Sequence, residues 1–351
     1  MKQGLFGLLL GAAVLGLSGA AVQAQDLPET KLSVVGAIGI HPQYQNYEKP
    51  FWTDRIAQRS NGKVTVAVKP WTELGLKGPE VLKLVQRGNF QIGTVNLPYN
   101  SGESAFVDAH DLPGLAPGFD DLKKVTAAWR PVLSEVLEKE FGVKVLAMFS
   151  YSAQVLYCRD EFRSIADIKG RKVRTSGAAQ ANFVESLGGA GINVNFGEVQ
   201  QALDRGVIDC AITGAYSGYS AKWYESSKFV SPLAINWGVQ AVVANIAAWN
   251  KLDPKVRDFI AAEIKTFEGE VVALAERETK TGILCNADGP CETGKPGGMK
   301  VVNPTPEDSA ILKRSLETAV LPDFAKRCGA ECTTKWNATV GTAVNMKAVA
   351  K

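Results

Sequence analysis

Two junctions more than a hundred residues apart are built alike. In Leu84-Val-Gln-Arg87-Gly88-Asn-Phe-Gln-Ile92 and in Ala202-Leu-Asp-Arg205-Gly206-Val-Ile-Asp-Cys210, a helical run is stopped by Arg-Gly and followed at once by a strand pattern. Glycine just past a helix supplies the left-handed residue that ends it. Each junction therefore commits the chain to helix-then-strand, the repeating step of an α/β fold. Asn96 and Thr213 fall at comparable strand ends beyond the two glycines. Two lobes carrying this unit and facing each other would enclose a cleft. Helix-Gly-strand is common grammar in α/β proteins, so the likeness is an echo and not in itself a repeat.

The second junction closes a stretch, Ser164 to Thr213, that concentrates candidate site residues. Asp167-Ile-Lys-Gly170 is predicted as a turn feeding a short strand, Lys172-Val-Arg174, and Gly177 breaks it soon after. An arginine at a strand's C-terminal end points beyond the sheet edge, where open α/β sheets bind ligands. Asn195 with Glu198 reads as an Asn-x-x-Glu capping box, which places Phe196 in the first turn of a helix.

The pattern Ile165-Ala-Asp167-Ile-Lys-Gly170-x-Lys-x-Arg174, followed by Phe196-Gly-Glu-Val-x-x-Ala202-Leu-x-x-Gly206-Val-Ile-Asp209, resembles the solute-binding proteins of tripartite ATP-independent periplasmic (TRAP) transporters. The resemblance implies an α/β, two-lobed periplasmic-binding-protein fold (type II-like), with hinge strands and a long helix bridging both lobes. It implies lobes of 25–150 with 239–282 and of 151–238 with 283–351, the first crossing lying near Tyr151. It also implies that Arg174 holds the carboxylate of an organic acid, with Gln154, Asn96 and Thr213 orienting the remainder. Many relatives carry a second arginine twenty residues before the first; Gln154 stands at that position here. With one cation, and with Phe196, Trp237 and Tyr151 as candidate walls, the expected ligand is a monocarboxylate with an apolar or aromatic body. The implied partners are that ligand and the membrane subunits of a TRAP transporter. As a cleft residue, Arg174 is expected to bear no weight in the core.

The rest of the chain fits export. Lys2, the apolar run Leu5 to Leu17 and Val22-Gln-Ala24 read as a secretory leader cleaved after Ala24. No later segment has the eighteen or so consecutive apolar residues of a membrane span. Losing the leader removes one of 39 basic residues and none of the 36 acidic ones, leaving about +2, and basic residues form no runs. Nucleic acid is excluded as a partner on that ground, and the chain is expected to be monomeric. The 327 residues left of 351 exceed what one core usually supports, as two lobes require.

The first lobe's opening strand, Lys31 to Ala37, runs into Gly36-Ala-Ile-Gly39-Ile-His41-Pro42, a loop suited to close approach of backbone to a ligand. Pro254 to Lys280 reads as one long amphipathic helix, Val256, Phe259, Ile260, Ile264, Phe267, Val271 and Leu274 sharing a face. Tyr216, Tyr219, Trp223 and Tyr224 are cleft wall or packing. Six cysteines in an exported chain suit disulfides. Local pairs Cys285–Cys291 and Cys328–Cys332 are expected, and Cys158 with Cys210 if their strands are neighbours; a zinc site built from the four tail cysteines is the alternative. His41 and His110 are the only histidines, and no nucleophile elbow or phosphate-binding loop occurs, so no catalytic residue, metal or cofactor is assigned. The competing functions are a binding protein for another importer or a sensor, and a periplasmic enzyme acting on small acids.

Overall fold

The computed structural model describes residues 27–292 and 294–350; the expected leader lies outside them. Eleven strands form among the described residues: β1 Thr30–Gly36, β2 Val64–Pro70, β3 Ile92–Asn96, β4 Val143–Ser150, β5 Gln154–Cys158, β6 Lys172–Thr175, β7 Ala190–Asn193, β8 Cys210–Gly214, β9 Phe229–Asn236, β10 Val239–Asn245 and β11 Lys300–Val301. They make two sheets, ordered β2-β1-β3-β10-β4 and β11-β9-β5-β8-β6-β7.

The two Arg-Gly junctions adopt one geometry. Gly88 and Gly206 have φ of 76° and 70°. The N–H groups of Gly88 and Asn89 return to the carbonyls of Val85 and Leu84, and those of Gly206 and Val207 to Leu203 and Ala202. Both are therefore Schellman stops. The strands they launch occupy matching places: β3 lies parallel to β1, as β8 does to β6, giving β2-β1-β3 in one sheet and β7-β6-β8 in the other. In each sheet an antiparallel strand follows, β10 beside β3 and β5 beside β8. The echo in the sequence is thus a topological repeat, with Arg174 in the strand that answers to β1.

The chain passes between the sheets from β4 to β5 and back from β9 to β10. These crossings lie side by side: Ser150 faces Val239, Gln154 faces Asn236, and Tyr151 N donates to Gly238 O at 3.4 Å. Asp111 clamps the return crossing, its carboxylate accepting from the N–H groups of Trp237 and Gly238, both at 2.7 Å, and of Val239 at 3.3 Å.

The third connection is helical and corrects the expectation of one helix ending at Lys280. It is a pair, Pro254–Val272 and Leu274–Asn286, parted at Ala273 (ψ −13°). The first member packs on β4, and the second on the helix Ala215–Ser220 of the other sheet. Alanine is the best helix former, so docking on two bodies, not local propensity, sets this break. A Cβ at Gly282 would lie 2.3 Å from Tyr216 N, which shows how closely the second member seats. Thr279 Oγ1 accepts from Ala153 N at 2.8 Å and braces the outgoing crossing.

The cysteines pair as Cys158–Cys210, Cys285–Cys291 and Cys328–Cys332. The first bridges directly opposed residues of β5 and β8. The tail cysteines are spent on local loops, so the zinc alternative for them is not realised.

Candidate ligand-binding site

Trp71 and Tyr99, just past β2 and β3, and Thr175, the last residue of β6, line one cavity. In β6, Arg174 points opposite to Val173 and Thr175 because side chains alternate along a strand. Its residue exposure is 1%. Nε donates to Val194 O at 3.0 Å and Nη1 to Ile212 O at 2.8 Å. The guanidinium lies 6.0 Å from the Trp223 ring and within hydrogen-bonding reach of the Tyr99 hydroxyl. Burial lowers its pKa and Tyr99 opposes the shift; an arginine so placed stays cationic. Among the described residues no carboxylate pairs with it.

Aromatic side chains from both lobes surround this cation. Trp223 packs on Phe196 (5.6 Å between centroids), Phe196 on His41 (5.1 Å), and His41 on Tyr151 (4.8 Å). Trp71 stands edge-on to Tyr99 at 6.5 Å. The lobes touch at the mouth, where Ala178 N donates to Ser101 Oγ at 2.8 Å and a Cβ on Gly177 would come 2.5 Å from Pro98 O. A cavity of about 300 Å³ remains between Trp71, Tyr99 and Ser101 on one side and Thr175, Asn193 and Phe196 on the other.

Of the residues singled out in the sequence, Arg174, Phe196 and Tyr151 meet here. Asn96 ends β3 with its Oδ1 buried and unpartnered. Thr213 is buried in β8, next to the Ile212 carbonyl that Arg174 uses. Gln154 is turned to the crossings, its Nε2 donating to the carbonyls of Ser152 (3.3 Å) and Trp237 (3.4 Å). Trp237 stands apart. Its Nε1 donates to Ala116 O at 2.9 Å and its ring lies by Phe119, in a separate groove with Pro117 and Pro232.

The Asn195–Glu198 capping box does not form: Asn195 Nδ2 donates to Glu198 Oε2 instead, and Phe196 sits in a 3₁₀ turn. Tyr216, Tyr219 and Tyr224 pack with the Cys285–Cys291 bridge, whereas Trp223 lines the Arg174 site.

Trp71, His41, Tyr99 and Glu48 are among the residues that escaped the sequence reading. His41 sat in a loop already marked for close approach, so a signal existed. Tyr99 follows β3 with nothing to distinguish it. Glu48 looks like a solvent-facing helical residue, yet it is buried, taking Thr94 Oγ1 at 2.6 Å and Ala37 N at 3.2 Å. Burial pushes its carboxyl up to about 7. It ties the loop that carries His41 to β3.

Residues 39–326 match the sequence profile of bacterial extracellular solute-binding protein, family 7 (DctP). The chain belongs to this family. It is 26% identical over 285 residues to the C4-dicarboxylate-binding periplasmic protein DctP of Rhodobacter capsulatus, covering 79% of this chain and 82% of that one. It is 25% identical over 249 residues to a monocarboxylate 2-oxoacid-binding periplasmic protein of Nostoc sp., covering 65% and 63%. Its fold matches that of DctP7, an extracytoplasmic solute receptor of Bordetella pertussis binding pyroglutamic acid, with a TM-score of 0.78 at 24% identity over 90% of this chain and 99% of that one. Family 7 proteins bind small carboxylates outside the cytoplasm, and delivery to a TRAP permease is the family role. The two-sheet, two-crossing architecture is the family's two-lobed fold.

Proposed function

We propose that this chain is exported by its leader, cleaved after Ala24, and acts as a monomeric periplasmic receptor whose ligand is anchored by Arg174. The lobes divide near 25–150 with 239–282 and 151–238 with 283–351, the helix pair 254–286 running from one to the other. They close on a small organic acid and present it to the membrane subunits of a TRAP transporter. No helix of the described residues is long and apolar enough to cross a membrane.

One observation carries the reading: a guanidinium at 1% exposure, between the two lobes, with no carboxylate among the described residues to pair with. An unpaired buried charge is very costly. Two main-chain carbonyls and Tyr99 solvate it in part; an incoming carboxylate would supply the missing charge through short charge-assisted bonds. Asn96 and Thr213 are the candidate polar contacts for the rest of the ligand, and Phe196, Tyr151, Trp71 and Trp223 give the site its apolar walls.

A thermal-shift screen of the mature protein against succinate, 2-oxobutyrate, pyroglutamate and other small acids tests this. A ligand at 100 times its Kd adds about 2.7 kcal/mol of stability, so at least one acid should raise the melting temperature by several degrees. A flat response to the whole panel at millimolar concentration would refute the reading.

A further inference from the structure

His41 is the second polar anchor that the site offers, and it comes from the lobe opposite Arg174. Its exposure is 2%, and neither Nδ1 nor Nε2 has a hydrogen-bond partner among the described residues. Leaving a buried donor or acceptor unmade costs about 1–3 kcal/mol each, so an imidazole kept this way calls for a partner. His110 is also buried and unpartnered. His41 differs in its surroundings, with Tyr151 of the crossing on one side and Phe196 of the Arg174 lobe on the other.

We propose that His41 is a specificity-determining contact, hydrogen-bonding a neutral polar group of the ligand while Arg174 holds its carboxylate, so that the site selects oxo-, hydroxy- or lactam-bearing monocarboxylates over dicarboxylates. This rests on the reading of Arg174 above and narrows it. Burial lowers the imidazole's pKa to about 3, so it enters the site uncharged, with one donor and one acceptor. Such a group matches a carbonyl, hydroxyl or lactam N–H. It cannot neutralise a second carboxylate, whose desolvation would then go uncompensated. Phe196, against which His41 packs, also lines a cavity with Trp71, Tyr99, Ser101, Thr175 and Asn193 that holds no charged side chain; His41 and Arg174 are themselves outside that lining. Gln154, where a second cation would stand by the family resemblance, spends its amide on the crossings.

Calorimetric titration with matched probes tests the proposal: 2-oxobutyrate against butyrate, pyroglutamate against cyclopentanecarboxylate, and succinate. Wild type should bind the better polar probe at least tenfold more tightly than its apolar counterpart and than succinate. His41→Leu should erase that preference, weakening the polar probe tenfold or more and leaving the apolar one within threefold. His41→Gln should restore part of it, and His41→Met replaces His41→Leu if the latter does not fold. Binding of the polar probe by the apolar variant within threefold of wild type, or succinate as the tightest probe, overturns the inference. If that happens while Arg174→Lys still weakens every acid, only the role of His41 falls. If wild type binds none of the probes and Arg174→Lys changes nothing, the reading of Arg174 falls with it.

Discussion

Replacing Glu48 by glutamine should change how stability depends on pH, by an amount set by its burial. The carboxyl is desolvated, and its bonds from Thr94 and Ala37 offset only part of that, leaving a folded pKa of about 7 against an ordinary 4.5. A raised pKa means that the folded state holds a proton that the unfolded state has released. The stabilisation is complete below pH 4.5 and is lost as pH rises through 7. At about 1.4 kcal/mol per pH unit, the loss between pH 5 and pH 8 is about 2.5 kcal/mol. Asp108 and Glu278, raised to about 7, and Asp111, raised to about 6, act in the same direction. His41 and His110, lowered to about 3, oppose them, because the unfolded state takes up protons below pH 6.5 that the folded state refuses. These contributions are common to both proteins and cancel in the difference. Urea unfolding of wild type and Glu48→Gln at pH 5, 6, 7 and 8 should therefore show the variant gaining about 2.5 kcal/mol on wild type across that range. Parallel stability curves would refute the argument and mean that Glu48 ionises at its ordinary pH in the fold.

Three further outcomes follow from the packing. Non-reducing mass spectrometry of the exported protein should find Cys158, Cys210, Cys285, Cys291, Cys328 and Cys332 in three bridges, and alkylation of any of them before reduction would contradict the pairing. Gly282→Ala should destabilise by about 2 kcal/mol or more, since its Cβ would press on the Tyr216 backbone at 2.3 Å; an unchanged melting temperature would show that the helix pair is not seated as described. Small-angle scattering should show the protein compacting when it binds a verified acid, with no change in circular dichroism, as a hinge closure requires. An unchanged radius of gyration at saturation counts against lobe closure.

Much of the frame was legible because it depends on short-range chemistry. Gly88 and Gly206 end helices through their own φ, so both junctions could be read, and the local cysteine pairs followed from compartment and spacing. What failed depends on long-range contacts. Trp237 looked like a cleft wall from its place in the chain, but Asp111, over a hundred residues away, grips the backbone from 237 to 239, and Ala116 takes the indole. The helix break at Ala273 comes from docking on two bodies, and no breaker residue marks it. Asn195 and Glu198 bond each other in preference to the backbone, a choice that composition does not decide. Arg174 was found through its motif, yet its second duty was not. By holding the carbonyls of Val194 and Ile212 it ties the end of β7 to β8, so it does bear structural weight, and Arg174→Ala would take a donor from each of these carbonyls.

That double duty decides how the anchoring of the acid by Arg174 is best measured. Arg174→Lys keeps a cation and a donor in place, but a point charge cannot serve two carbonyls and a carboxylate as a planar fork does. Truncating one member of a buried charge pair costs about 2–5 kcal/mol, or roughly 30-fold to several thousand-fold in affinity; lysine should recover part of that and alanine none. Calorimetric titration of wild type, Arg174→Lys and Arg174→Ala with the acid found in the screen is the direct test, each variant first shown to be folded by circular dichroism. The account predicts affinity falling in that order, by at least 30-fold at alanine. Binding by folded Arg174→Ala within about threefold of wild type would contradict it.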